Sequence, residues 1–63
     1  PAEVAAALDQ LFSASAFILV RDLRAALHLS RPVAYRLVQA LEAAGKVRNV
    51  GTSRQKILVK GEG

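Results

Sequence analysis

Four side chains suited to contacting a nucleic acid recur at helical spacing in the middle of the chain: Arg31, Tyr35, Arg36 and Gln39. Arginine can donate two hydrogen bonds to guanine, glutamine can bond adenine, and tyrosine can contact a sugar, a phosphate or a thymine methyl group. At about 100° per residue, Arg31, Tyr35 and Gln39 project from one side of a helix, with Arg36 and Pro32 at its margin. The pattern predicts a helix face that contacts the DNA major groove.

The ends of this helix are marked by residues that favour helix termini. Ser30 is a favoured N-cap because its hydroxyl can accept a free backbone N–H of the first turn. Pro32 falls in that turn, where its missing N–H costs nothing, and Gly45 supplies a C-terminal stop. The N-terminus around Ser30 also suits a phosphate. We therefore predict a helix over 30–44. Its predicted apolar side consists of Val33, Ala34, Leu37, Ala40, Leu41 and Ala44.

Three shorter patterns precede this helix. Residues 2–12 have helical spacing, the apolar run at 17–20 predicts a short strand, and residues 21–27 predict a second helix. Asp22 falls in the first turn of that helix, where the helix dipole favours a carboxylate. His28 then occupies a turn, where it would adopt a left-handed backbone at some cost. The predicted apolar faces are Val4, Ala7, Leu8, Leu11 and Phe12 in the first helix and Leu23, Ala26 and Leu27 in the second.

After Gly45 the hydrophobic period changes from 3.6 to 2, which indicates strands. Residues 46–50 and 55–60 are predicted to form a β-hairpin around a turn at 51–54, and the strand at 17–20 would be its third strand. Residues 61–63 are interpreted as a frayed tail or the start of a linker. Candidate contacts at the tip of the hairpin are Thr52, Ser53 and Arg54, with Lys56 on the following strand.

Composition narrows the possible functions. The chain has 63 residues and no cysteine, which excludes disulfides and cysteine zinc sites, and with a single histidine we expect no metal site. Residues 1–20 carry a net charge of −2, whereas residues 21–63 carry nine Lys and Arg against three acids, a net of +6. This asymmetry indicates an anionic partner, with a merely solvated basic surface as the alternative. The acidic residues form no catalytic pair and no serine has a nucleophile context, so we expect neither enzyme activity nor a cofactor.

Several segments together resemble the winged helix-turn-helix superfamily of prokaryotic regulators. They include Leu-Ser-Arg-Pro at 29–32, Tyr-Arg-Leu at 35–37, Leu-Glu-Ala-Ala-Gly at 41–45 and Gly-Thr-Ser-Arg at 51–54. The similarity spans about residues 17–60, with 2–12 as the first helix, and looks closest to domains of the multiple-antibiotic-resistance and isocitrate-lyase-regulator types. His28 replaces a glycine frequent in the family, and the hairpin loop is short.

The resemblance implies an α+β fold with three helices, a short strand and a C-terminal β-hairpin, the wing, with 1–63 as a single domain. It also implies binding to double-stranded DNA, as a module of a transcriptional regulator or of a larger DNA-associated protein, in a cytoplasmic, nucleoid-associated location. We expect no membrane partner, since no apolar run approaches the length of a bilayer span. The predicted DNA contacts are Ser30, Arg31, Pro32, Tyr35, Arg36, Gln39, Thr52, Ser53, Arg54 and Lys56.

Structural roles for the same residues stay open. Arg31 and Arg36 could solvate an exposed face or pair with Glu42 or Asp22. Tyr35 could lie over the junction with the second helix. Lysines on an edge strand, including Lys56, also prevent aggregation between strand edges.

Two other modules and the oligomeric state also stay open. The first is a winged-helix protein-interaction module within a larger enzyme or assembly. It would need an exposed apolar patch, and the predicted outer face of the long helix offers only Tyr35 and Val38. RNA binding is a weaker alternative, because stacking needs several aromatic residues and Phe12 and Phe17 are assigned to the core. The acidic first helix is the expected dimer face. Because the chain begins at Pro1 without a methionine, the rest of a longer chain is a further possible partner.

Overall fold

The computed structural model describes residues 2–62, which form three helices and a three-stranded antiparallel sheet. The predicted α+β class and element order are confirmed. The strand expected at 17–20 is shorter because Val20 begins the second helix, and the strands of the hairpin are also shorter than predicted. None of the described helices has the length and apolar character needed to cross a membrane. The elements are α1 (Ala2–Ala14), β1 (Phe17–Leu19), α2 (Val20–Leu27), α3 (Arg31–Ala43), β2 (Val47–Asn49) and β3 (Ile57–Lys60).

The sheet has the strand order β1-β3-β2, so the first strand is the third member of the hairpin sheet as predicted. Ile18 pairs with Leu58, and both are buried against the helices. Because side chains alternate along a strand, Phe17 and its partner Val59 lie on the opposite face of the sheet. The assignment of Phe17 to the core was wrong: its side chain is 55% exposed, because Ile18 occupies the inward position.

The core is built from α2, α3 and the sheet. It consists of Ile18, Val20, Leu23, Ala34, Val38, Leu41, Val47 and Leu58. No residue of α1 is buried, and its predicted apolar face covers the core with side chains that stay half-exposed. Ala26 was predicted to be buried and is exposed, so α2 contacts the core mainly through Val20 and Leu23. The helix that covers the core least completely is therefore α1.

The orientation of α3 differs from the prediction. Apolar residues occupy two neighbouring stripes of this helix, and the buried ones form a single stripe of Ala34, Val38 and Leu41. Val38 was placed on the outer face and is fully buried, whereas Val33, predicted to be inside, is 43% exposed. Ala40 and Ala44 are exposed as well. The helix is therefore rotated relative to the prediction, because hydrophobicity alone did not distinguish the two stripes.

Local backbone geometry explains the turns. His28 has the expected left-handed conformation, with φ 55° and ψ 47°. Ser30 is the N-cap of α3 as predicted, but its hydroxyl accepts no hydrogen bond from the first turn, so that expectation was wrong. Gly45 follows the C-cap residue of α3 and has a left-handed conformation, with φ 74°. Its N–H donates to the Glu42 carbonyl, and the Lys46 N–H donates to the Leu41 carbonyl, which is the Schellman arrangement.

The segment after β3 is held rather than frayed at its first residue. The Gly61 N–H donates to the Lys46 carbonyl at 2.9 Å. A methyl group at Gly61 would overlap the Gly45 carbonyl oxygen, so the two chain segments approach more closely than any other residue allows. Glu62 is exposed, and Gly63 lies outside the described residues. The interpretation of 61–63 as a frayed tail was therefore wrong for Gly61.

Candidate nucleic-acid interface

The solvent-facing side of α3 centres on Arg36. At about 100° per residue, Gln39 lies on one side of it and Val33 on the other. The exposed residues of this face are Pro32, Val33, Arg36, Gln39, Ala40 and Ala43. The sequence pattern placed Tyr35 on the outer face and Arg36 at its margin, and both placements were wrong, because Arg36 lies at the centre of this face and Tyr35 is half-buried. The face carries one cation and one amide among small apolar groups.

Arg31 and Arg36 have no side-chain partner among residues 2–62. Both are exposed, and neither forms an ion pair or a side-chain hydrogen bond with any residue in 2–62. The two carboxylates proposed as alternative partners are engaged elsewhere. Asp22 accepts the Leu19 N–H at 2.8 Å and caps α2, and Glu42 pairs with Lys56. The structural role suggested for Arg31 and Arg36, pairing with Glu42 or Asp22, is therefore wrong.

A small cleft brings part of α3 together with the hairpin. Its volume is about 160 Å³, and Tyr35 lines it together with Arg21 of α2 and with Arg54 and Lys56 of the hairpin. Tyr35 is half-buried and packs against the core, and it lines the cleft beside Val20 and Arg21 of α2, which favours its structural alternative near the junction with that helix. Arg21 was missed by the sequence analysis. The sequence did contain a signal. A cation in the first turn of a helix interacts unfavourably with the helix dipole, so Arg21 does not serve to stabilise α2 and is a candidate for another role.

The loop of the hairpin, residues 50–56, is organised by Asn49. Its Oδ1 accepts the N–H groups of Gly51 at 2.9 Å and Ile57 at 3.1 Å, and its Nδ2 donates to the Thr52 carbonyl at 3.1 Å. The Thr52 hydroxyl accepts the Gln55 N–H at 2.9 Å, so Thr52, a predicted contact, also shapes the loop. Asn49 was not singled out, although Asn two residues before Gly is typical of a side chain that closes a turn.

The tip of this loop presents Ser53 and Arg54 to solvent. Both are exposed, and Arg54 forms no ion pair with any described residue. Because the loop is closed behind them by backbone and side-chain bonds, their position relative to β2 and β3 is defined. Of the predicted hairpin contacts, Ser53 and Arg54 are the two whose side chains form no hydrogen bond or ion pair with residues 2–62.

Lys56 forms an ion pair with Glu42, which joins the hairpin to α3. Its Nζ lies 2.5 Å from Oε1 of Glu42, and the exposed fractions of the two side chains are 13% for Lys56 and 30% for Glu42. An ammonium that is largely covered and already paired has little freedom to reach a phosphate. Its position in the structure therefore favours a positioning role over the direct contact that was predicted.

Comparison of the chain with protein-family models, curated proteins and solved structures found no match. Across residues 2–62, no three His, Cys, Asp or Glu side chains come together in a way that could hold a metal ion. The structure by itself defines a small α+β domain. Its solvent-facing helix presents Arg36 and Gln39, and the neighbouring hairpin loop presents Arg54.

Proposed function

We propose that this chain is a winged helix-turn-helix domain that binds duplex DNA. In this proposal α2, the turn at His28 and α3 form the helix-turn-helix, and the β2–β3 hairpin is the wing. Support comes from the order of the elements, from the tight left-handed turn between α2 and α3, and from the antiparallel hairpin that follows α3. In this motif the second helix lies in the major groove and the first crosses the DNA backbone.

The observation that carries the proposal is the exposed face of α3. Arg36 and Gln39 are exposed there without partners among residues 2–62, and their neighbours Pro32, Val33 and Ala40 are small enough to let the helix approach the bases closely. The major groove, about 12 Å wide, admits a single α-helix. On such a helix the Arg36 guanidinium matches the two acceptors of guanine, and the Gln39 side-chain amide matches the donor and acceptor of adenine.

The roles of individual residues follow from their positions. Arg36 donates to guanine, Gln39 bonds adenine, and the exposed Val33 contacts a thymine methyl group. Arg31 and the backbone N–H groups behind Ser30 face the phosphates at the start of α3. Ser53 and Arg54 reach the adjacent backbone or minor groove. The cleft between Arg21, Tyr35 and Arg54 provides two guanidinium groups and a phenol that suit one further phosphate.

The protein would act as the DNA-binding module of a transcriptional regulator or of a larger DNA-associated protein. One helix and one short wing offer few base contacts, so a single copy would bind mainly through the phosphates. Selective binding would then need two copies on two half-sites.

The first experiment is an NMR titration of the ¹⁵N-labelled domain with a short random-sequence duplex at low and moderate salt. We expect shifts centred on residues 30–39 and 52–54 that diminish as salt is added, because phosphate contacts release counterions. A folded spectrum without shifts at low salt would remove the proposal.

A substitution then tests the face of α3 on a duplex selected from a random pool. Arg36→Ala should weaken binding roughly tenfold, consistent with the loss of about 1–3 kcal/mol for one bidentate base contact. Arg48→Ala is the matched control. Arg48 is exposed on the sheet face opposite the helices, as its pairing with Val59 indicates, and the same charge change there should leave affinity nearly unchanged. Equal losses in both variants would contradict the assigned face.

A second candidate function is protein docking on the outer face of the sheet. Phe17 is 55% exposed and Val50 is 52% exposed, and Val59 beside Phe17 is only half-buried. This apolar surface was not foreseen, and contiguous exposed apolar surface is typical of interaction sites. Phe17→Ser separates the two candidates: it should leave DNA affinity unchanged, and it would abolish capture of a protein partner that docks on this face.

A further inference from the structure

A groove separates α1 from α3 and from the end of the sheet. Its volume is about 500 Å³. On the α1 side it is lined by Val4, Leu8 and Phe12, and on the α3 side by Leu37 and Leu41. All of these except Leu41 are only half-buried, although each packs against the core. The groove is therefore an apolar surface that residues 2–62 do not cover.

Charged residues of both signs border this groove. Asp9 stands on the α1 wall, and Lys46 and Lys60 stand on the opposite wall at the start of β2 and the end of β3. All three are exposed, and none forms an ion pair with another residue in 2–62. A partner whose charges were all of one sign would meet a like charge on one wall. The groove fits a partner that carries both signs in the reverse order.

We propose that the occupant of this groove is a second copy of the chain, related by a two-fold axis. A two-fold interface uses the same patch on both subunits, so the patch must complement itself. Rotation about such an axis brings Asp9 of each copy to Lys46 and Lys60 of the other, while the apolar side chains of the two grooves meet between them. The acidic helix and the basic end of the sheet are thus the two halves of one self-complementary surface.

This dimer leaves the DNA-binding face free. Arg36 and Arg54 do not line the groove, and only Ala40 belongs both to the groove and to the exposed face of α3. The inference stands apart from DNA binding, because self-association is measured without DNA. If the DNA proposal also holds, the dimer supplies the two helices that paired half-sites require.

Sedimentation equilibrium over a concentration series, at low salt, tests the proposal. The wild-type domain should pass from the 6.7 kDa of one chain to twice that mass. Asp9→Lys and Lys60→Glu each place like charges together in both halves of a homodimer, so each variant should self-associate at least about tenfold more weakly. Both residues are exposed, and unchanged circular dichroism would show that the variants remain folded.

An equimolar mixture of the two variants gives the decisive result. In a mixed dimer the introduced lysine faces the introduced glutamate, and the native Asp9 faces the native Lys60, so association should recover most of the wild-type strength. Charge pairs formed only within a single copy of the chain would not produce this recovery when the two variants are mixed. Glu3→Lys is the control, because Glu3 is exposed on α1 but lines the groove toward α2. This change should leave self-association unchanged.

Three results would overturn the inference. The first is a wild-type domain that stays monomeric up to about 1 mM, above which an association is too weak to be specific. The second is self-association of Asp9→Lys and Lys60→Glu that equals the wild type. The third is a mixture of these variants that associates no better than either alone.

Discussion

Asn49 holds the hairpin loop in shape through both ends of its side-chain amide. Its oxygen accepts two backbone N–H groups, from Gly51 before the tip and from Ile57 at the start of β3, and its nitrogen donates to Thr52. These bonds join the two sides of the loop that presents Ser53 and Arg54. One residue outside the proposed interface therefore determines where two residues inside it are held.

We expect Asn49→Ala to destabilise the domain by about 1–2 kcal/mol, because it removes three partly exposed hydrogen bonds of modest net value. Asn49→Asp is the graded control, since it keeps both acceptor bonds and loses only the donor to Thr52. Urea denaturation and amide exchange at Gly51 and Ile57 measure the effect. Equal stability of Asn49→Ala and the wild type would contradict the role assigned to this side chain.

At the level of elements, the important relation is between α3 and the hairpin. Glu42 lies on the flank of α3, one residue beyond the buried Leu41, and its ion pair with Lys56 joins this flank to the start of β3. Tyr35, two turns earlier on the helix, lines the same small cleft as Arg54. The ion pair thus joins the helix to the loop, and in the proposed complex both would approach the same DNA molecule as one unit.

We expect the Glu42–Lys56 ion pair and the loop tip to affect the salt dependence of DNA affinity differently. Removing both charges with Glu42→Gln and Lys56→Met should leave the slope of log affinity against log salt unchanged, because Lys56 contacts no phosphate. Arg54→Ala should reduce the magnitude of the slope by about 0.9, the value of one phosphate contact. Fluorescence anisotropy of a labelled duplex measures both. A comparable reduction in the paired variant would return Lys56 to the DNA contacts.

For the whole molecule, charge separates into two regions. α1 carries Glu3 and Asp9 and no Lys or Arg, whereas all nine basic residues follow β1. In the two proposals, Asp9 of the acidic helix pairs with Lys46 and Lys60 in self-association, whereas the DNA-facing cations are Arg21, Arg31, Arg36 and Arg54. The core is small, as expected for a chain of 63 residues, so burial of the α1 groove in a dimer would also stabilise the fold.

The net charge of the DNA-facing region sets the overall salt dependence. The proposed interface holds three to four cations, Arg21, Arg31 and Arg54 with or without Arg36, so the slope of log affinity against log salt should be roughly −3 to −4. The contributing groups are the exposed residues of α3, the loop tip and the cleft. Arg48→Ala should leave this slope unchanged, since Arg48 lies on the other face of the sheet. A slope near zero on any duplex would contradict binding through phosphates.

Local sequence was enough to predict the elements and most of their ends. The stop at Gly45, the left-handed turn at His28, the N-cap position of Ser30 and the change of period after α3 are all present. These features depend on backbone conformations and hydrophobic periods that act within a few residues. The exposure of Arg31, Gln39, Ser53 and Arg54 was also predictable, since charged and polar residues at such positions rarely find partners inside so small a core.

Only the tertiary structure decided which faces these elements present. Both apolar stripes of α3 were compatible with burial, and contact with α2 and the sheet selected Val38 over Val33. The inward position of Ile18 sent Phe17 outward. The pairing of Lys56 with Glu42 joins residues on different elements, which no local pattern specifies. The sequence therefore determined the elements, because their physics is local, and packing determined their rotation, because burial depends on distant partners.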